Sequence, residues 1–394
     1  MTKSIHAGLF GSKRLTGCAL AAALLFAGMS ALAANVAKIG EETFGSLADA
    51  FAAVQSGETV VILNGEHDCT ADNAFAGLGK KTVTLRGESQ DGTVLDMGRG
   101  NKTGVQTTPG TNLTLEDMTL KFDHSGSGSP MYDHTFFHPA SQTFRNVTIV
   151  GQIDIMDDTL FESCTFTGAV NEKDEYLLWC YACTAELVDC TFKGSGTKAP
   201  VKLYNEGAQC GLKVSGTTFE ALGTYGCAVY SSNKYPENNV YEITVGENVT
   251  APAEAKVVRS SDVGLTVINP TKDEQGKYTG GTFESEKKSA EEIVEIAKKY
   301  AGEGFAPVID PETRKVVVGE KTYARVTSFA RTGTDVTLGW EVVDGLQYQV
   351  EWSDSLDETA VWTPHGMPSA TSPVTLPDQT ASSRFYRVFS LNVK

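Results

Sequence analysis

The chain has 394 residues, 41% of them hydrophobic, with 39 glycines and a formal charge of −16. That apolar share excludes a disordered chain, and the glycine count suits a turn-rich β protein with room for a large core and two domains. So acidic a balance argues against nucleic-acid binding, which needs cations to neutralise phosphate.

The first predicted element is a leader. Lys3, Lys13 and Arg14 stand without an acid, followed by an apolar run from Leu15 to Met29 and by Ala31-Leu32-Ala33. This is the pattern of a secretory signal peptide over 1–34, cleaved near Ala33 or Ala34. The mature protein is therefore expected to be secreted or associated with the cell surface. Leu15-Thr16-Gly17-Cys18 imitates a lipoprotein box but precedes the apolar run instead of following it. No later stretch approaches the roughly 20 apolar residues of a membrane helix, so no membrane span is expected. Beyond the leader the cysteines are odd in number (Cys69, Cys164, Cys180, Cys183, Cys190, Cys210 and Cys227), which in an exported protein leaves at least one thiol free or bonded to another chain.

Ser46 is placed to cap a helix over about 46–55, whose Leu47, Ala50, Phe51 and Val54 form one apolar stripe. Such a helix would cover the open end of a strand stack. Strands follow at Thr59 to Leu63, Thr82 to Leu85 and Thr93 to Leu95. A motif then recurs five times: LEDMTL at Leu115, FRNVTI at Phe144, FESCTF at Phe161, LVDCTF at Leu187 and VSGTTF at Val214. Its threonine falls at 119, 148, 165, 191 and 218, in steps of 29, 17, 26 and 27, the period of a solenoid rather than a closed sandwich. Ile153, Leu177, Val201 and Ala228 begin a second strand series with steps of 24, 24 and 27, so each coil contributes at least two parallel strands.

From about Asn239 the pattern loosens. A capping box at Ser289-Ala290-Glu291-Glu292 predicts a helix through Tyr300, with Ile293, Ile296 and Ala297 on one side, and Phe305 to Val318 reads as a hairpin turning at Asp310-Pro311-Glu312. Together they make a closing module over about 280–320 for a solenoid domain of 35–320. Residues 321–394 alternate with period two (Val336, Leu338, Trp340; Tyr348, Val350, Trp352; Phe385, Arg387, Phe389), which predicts a small antiparallel β-sandwich with Trp340, Trp352 and Trp362 in its core.

The stretch Ala37 to Leu63, with Gly57-Glu58-Thr59-Val60-Val61-Ile62-Leu63 after its helix, and the stacked Asp-Cys-Thr-Phe type coils resemble bacterial secreted right-handed parallel β-helix proteins of the pectin-lyase-like group over roughly 36–320. The tail, with Trp340, Tyr348 to Trp352, Trp362 and Phe385-Tyr386-Arg387-Val388, looks like a fibronectin-III-like domain. The resemblance implies an all-β fold: a right-handed parallel β-helix with an N-terminal capping helix, then a small antiparallel sandwich. It is weak on activity, because this fold hosts lyases, hydrolases and adhesins alike.

A step of 24 residues stacks Asp154 with Leu178 and Lys202, Met156 with Cys180 and Tyr204, and Asp157 with Tyr181 and Asn205, with Asp158 and Glu206 alongside and Tyr230 one coil further. Aromatic rings pack on sugar faces and carboxylates hydrogen-bond hydroxyls, so Asp158, Tyr181, Tyr204, Asn205, Glu206 and Tyr230 are the candidate ligand-binding set. In a lyase of this fold Lys202 would be the base, with Asp154 and Asp157 holding Ca²⁺ against a uronate; no other cofactor is expected. This register puts no arginine on the face to clamp a substrate carboxylate. Polygalacturonase-like hydrolases use a dense Asp-Asp cluster with a nearby Gly-His, for which Asp157-Asp158 is the nearest analogue and lacks the Gly-His.

Asp123-His124, Asp133-His134 and His138 form a second polar cluster, in a stretch whose Gly126, Gly128 and Pro130 point to a loop rather than a metal-binding helix. Cys180-x-x-Cys183 has no matching second pair, and Cys164 and Cys190 hold equivalent places in neighbouring coils, which predicts a buried thiol stack or one or two disulfides between coils. The expected function is that of an exported, non-catalytic solenoid binding a polysaccharide or cell-surface glycan along one long face. The alternative is a lyase or hydrolase acting on an acidic polysaccharide.

Overall fold

The computed structural model describes residues 34–69, 74–98, 111–122, 136–137, 141–168, 175–204, 209–232, 240–253, 255–261, 264–310, 313–343, 346–357, 360–377, 379 and 384–392. The histidine cluster at 123–138, apart from Phe136 and Phe137, and the candidates Asn205 and Glu206 lie outside them, as does the leader before Ala34.

A β-solenoid of about six turns makes up the larger, N-terminal part of the described residues. Its entrance is covered by helix α1 (Leu47–Ala53), capped by Ser46, whose hydroxyl accepts from the Asp49 amide at 3.1 Å. Leu47, Ala50 and Phe51 turn into the core, where Phe51 meets Phe75 at 5.3 Å between ring centroids.

The recurring threonines stack in register. Thr119 pairs with Thr148, Thr148 with Thr165, Thr165 with Thr191, and Thr191 with Thr218, all in parallel strands. The next residue of each motif points inward, giving a column of Leu120, Ile149, Phe166, Phe192 and Phe219 that is buried throughout. Phe166 and Phe192 stack with parallel rings at 4.2 Å, and Phe192 and Phe219 stack at 4.8 Å with their planes 22° apart. Two residues before each threonine the chain turns a corner in the left-handed region: Asp117, Asn146, Ser163, Asp189 and Gly216 have φ between 50° and 59°. Short polar residues and glycine tolerate that conformation best. Asn146 also donates across coils to Asp117 at 2.7 Å, so the corners form a ladder of their own.

The second strand series forms a six-stranded parallel sheet in the order Lys256–Ser261, Cys227–Ser232, Val201–Tyr204, Leu178–Tyr181, Ile153–Ile155 and Phe136–Phe137. Its register differs from the 24-residue step: Asp154 pairs with Trp179, Trp179 with Lys202, Lys202 with Tyr230, and Tyr230 with Arg259. Tyr181, not Cys180, lies beside Tyr204. The reason is local. Tyr176, Leu177 and Leu178 are all buried, and the amides of Leu177 and Leu178 both donate to the Pro200 carbonyl, so alternation cannot show where the strand begins. A slip of one residue exchanges the faces of a strand.

The parallel stack ends where Thr266–Lys272 pairs antiparallel with Tyr278–Glu284. Helix α2 (Ala290–Ala297) carries the capping box of Ser289 and Glu292, stops three residues short of Tyr300, and packs Ile293 and Ala297 inward. The hairpin of Phe305–Ile309 and Val316–Tyr323 follows, and its second strand continues past residue 320 to pair with Phe385–Asn392.

In the C-terminal antiparallel sheets Val336, Leu338, Trp340, Tyr348, Val350, Leu376 and Val388 form the core. Two expectations are corrected here. Trp352 and Trp362 are only half-buried and serve as platforms for Arg384 and Arg387, whose guanidinium carbons lie 3.6 and 4.1 Å from the ring centroids. In the last strand Val388 rather than Phe389 enters this core; Phe389 packs with Val308 of the hairpin. A strand covered on both faces carries apolar residues of both parities, which its sequence alternation cannot sort.

Candidate functional site

The outward column of the six-stranded sheet contains Asp154, Trp179, Lys202, Tyr230 and Arg259 in consecutive coils. Its centre is Lys202. The ammonium nitrogen lies 5.0 Å from the ring centroid of Tyr176, 5.1 Å from Trp179, 5.0 Å from Tyr204 and 5.6 Å from Tyr230. All four distances are within cation–π range. The walls brace one another: Trp179 meets Tyr176 at 68° and Tyr204 at 67°, while Tyr176 and Tyr230 lie within 12° of parallel. Tyr181 leans on Tyr204 at 6.0 Å and extends the aromatic strip by one residue. Trp179, Tyr181, Lys202, Tyr204 and Tyr230 are each half-buried, so the strip keeps a solvent-facing side.

Asp154 has a different place from the one the sequence suggested. It is fully buried, two strands from Lys202 with Trp179 between, a separation of about 9 to 10 Å along the stack. Its Oδ1 accepts from Gln152 Nε2 at 2.9 Å, and Gln152 Oε1 accepts from the Tyr176 amide at 3.2 Å. Asp154 therefore works through Gln152 to hold Tyr176, the buried wall of the cage. Asp158 is exposed, and its Oδ1 accepts from the Thr184 amide at 2.8 Å, tying one coil to the next. Asp157 is half-buried at the same corner, where its carbonyl accepts from the Thr159 hydroxyl. Among the described residues no group of three or more His, Cys, Asp or Glu side chains could hold a metal ion.

The 24-residue register missed three participants. Tyr176 and Trp179 are cage walls, and Arg259 brings an arginine onto the face where none was expected. Glu286 holds the Arg259 guanidinium with two hydrogen bonds of 2.7 and 3.2 Å, Arg259 donates to the Tyr225 carbonyl at 3.2 Å, and its guanidinium carbon lies 5.2 Å from the Tyr225 ring centroid. Lys256-Val257-Val258-Arg259 does not alternate and sits after the pattern loosens, so no sequence signal placed Arg259 on this face.

All seven described cysteines are free thiols, which resolves the choice between a thiol stack and disulfides in favour of the stack. Cys164 donates to the Phe144 carbonyl and Cys190 to that of Phe161, in equivalent places one coil apart. Burial pushes the thiols of Cys210 and Cys227 up to about 12, and burial with the neighbouring Asp68 and Asp96 carboxylates does the same to Cys69. Cys180 is likewise raised by burial, far from the thiolate that zinc or redox chemistry would use.

Among the described residues no helix is long and apolar enough to cross a membrane. Comparison of the chain with protein-family models, with curated proteins and with solved structures returned no match.

Proposed function

We propose that this protein is an exported, non-catalytic solenoid that binds a polysaccharide or cell-surface glycan along the outward face of its six-stranded sheet. On this reading the leader is a signal peptide, 35–320 is a secreted β-helix of pectin-lyase-like type, and 321–394 is a fibronectin-III-like unit that spaces or docks it. The supporting observation is the four-ring cage around Lys202. Ring faces attract the ammonium form, whereas a lyase base must offer a free amine. Asp154, the carboxylate that would hold Ca²⁺ beside that base, is committed to Gln152 and buried. What remains is a braced strip of Trp179, Tyr181, Tyr204 and Tyr230, and rigid rings with solvent-facing sides suit the apolar faces of sugars.

The test is affinity electrophoresis of the mature protein through uronate-rich and neutral polysaccharides, with and without Ca²⁺, alongside assays for unsaturated products and new reducing ends. Retardation without product supports the reading, and Tyr204→Ala should weaken it about tenfold, the loss of one stacking ring. Product formation that Lys202→Ala abolishes would replace it with the enzymatic alternative.

A further inference from the structure

Where the six-stranded sheet ends, a cleft of about 640 Å³ opens between the strand Lys256–Ser261 and the closing module. It is lined by five cations, Lys256, Arg259, Lys288, Arg314 and Lys315, against two acids, Glu284 and Glu286, in a chain of net charge −16. The acids are already engaged: Glu286 holds Arg259, and Glu284 pairs with Lys315 at 2.7 Å. Arg314 reaches Glu291 at 3.8 Å. Among the described residues, Lys256 and Lys288 take part in no ion pair. The floor between them is apolar, formed by Val258, Phe283, Ile293 and Val316. Charges on the rim and hydrocarbon on the floor match a ligand with a ring body and several anionic substituents.

The cleft also adjoins the strand next to the cage. Arg259 lies in register with Tyr230, which is a wall of the Lys202 box, so a chain lying along Trp179, Tyr204 and Tyr230 would run into it. We infer that this cleft is an anion subsite that takes the acidic sugars of a glycan, with Lys256 and Lys288 as the cations that meet its carboxylates or sulfates. The inference rests on the face-binding reading and gives it a substrate class. Cations that are free of protein partners gain most from an incoming anion, because no existing pair must be broken.

The experiment is calorimetric titration of the full chain with tri-galacturonate, a sulfated trisaccharide and a neutral trisaccharide, at low and high salt, with a short oligothymidylate as a non-saccharide polyanion. Lys256→Gln combined with Lys288→Gln, checked for an unchanged thermal melt, should weaken the acidic saccharides at least about tenfold and leave the neutral one unchanged. Binding should also fall at high salt. The two acidic saccharides distinguish carboxylate from sulfate as the anion. If Tyr204→Ala weakens binding and the double variant does not, the subsite is wrong while the face reading survives. If the double variant weakens binding and Tyr204→Ala does not, the cleft is the site and the face reading fails. Oligothymidylate binding as tightly as the acidic saccharides, or no saccharide binding at all, overturns the proposal.

Discussion

The two sheets of the solenoid use the same stacking period for opposite ends. At the motif corner the same residue types recur coil after coil, threonine on threonine and phenylalanine on phenylalanine. In the six-stranded sheet one column carries Asp154, Trp179, Lys202, Tyr230 and Arg259, no two alike. Like columns give each coil the same neighbour and make stability nearly a sum over coils. Unlike columns build a unique local arrangement, here a caged lysine, and that is where recognition can be encoded. The difference predicts that stability and binding separate by sheet.

The largest effect should come from the like column. Phe192→Ala removes a fully buried ring stacked on both sides and should cost about 3 to 5 kcal/mol, read as a fall in denaturation midpoint. A cost under about 1 kcal/mol would mean that the column is not the spine described here.

Next comes the support beneath the cage. Gln152→Ala takes a donor from the buried Asp154 and an acceptor from the Tyr176 amide, and should cost about 1 to 3 kcal/mol. It should also loosen glycan binding, although Gln152 is buried, whereas Phe192→Ala at a temperature where the protein stays folded should not.

At the corner column, Gly216→Ala forces a side chain onto φ +59° with its Cβ driven against Asp189 Oδ1. The left-handed conformation alone costs about 1 to 2 kcal/mol in a residue with a Cβ. Asp189 must also move aside, so a thermal melt that does not shift would contradict the assigned corner.

Two further readings come from alkali, whose effect grows with pH, and from surface charge, whose effect is the smallest. Cys69, Cys210 and Cys227 have thiols held near 12 against an ordinary value of 9.0, so the unfolded chain ionises first as the pH rises. Their contribution is complete below about pH 9 and is lost between 9 and 12, so the melting temperature should begin to fall above pH 9. Arg145→Ala, which breaks exposed pairs to Glu116 and Glu162, should change stability by under about 1 kcal/mol.

The contrast between the sheets also explains what was legible in the sequence. Thr119, Thr148, Thr165, Thr191 and Thr218 could be aligned by eye, because a like column writes the same letters in every coil. The left-handed corners at Asp117, Asn146, Ser163, Asp189 and Gly216 were not read from the sequence, although each lies two residues before a motif threonine. Lys202, Tyr204 and Tyr230 could be nominated from their strands, but their neighbours could not be assigned, since an unlike column has no repeated letter to fix its register. Tyr176 to Leu178 hid the strand start behind three buried residues, and that one-residue ambiguity put Leu178 where Trp179 belongs. The same parity problem hid Val388, on a strand with apolar residues facing both ways.

The most direct test of the central claim, that the caged face binds glycan without turning it over, is to pass wild-type protein and Tyr204→Ala through gels containing polygalacturonate and then assay the same gel for cleaved chains. The account predicts retardation of wild type, weaker retardation of the variant, and no new chain ends from either. Equal mobility of the two proteins, or new chain ends in the wild-type lane, would contradict it.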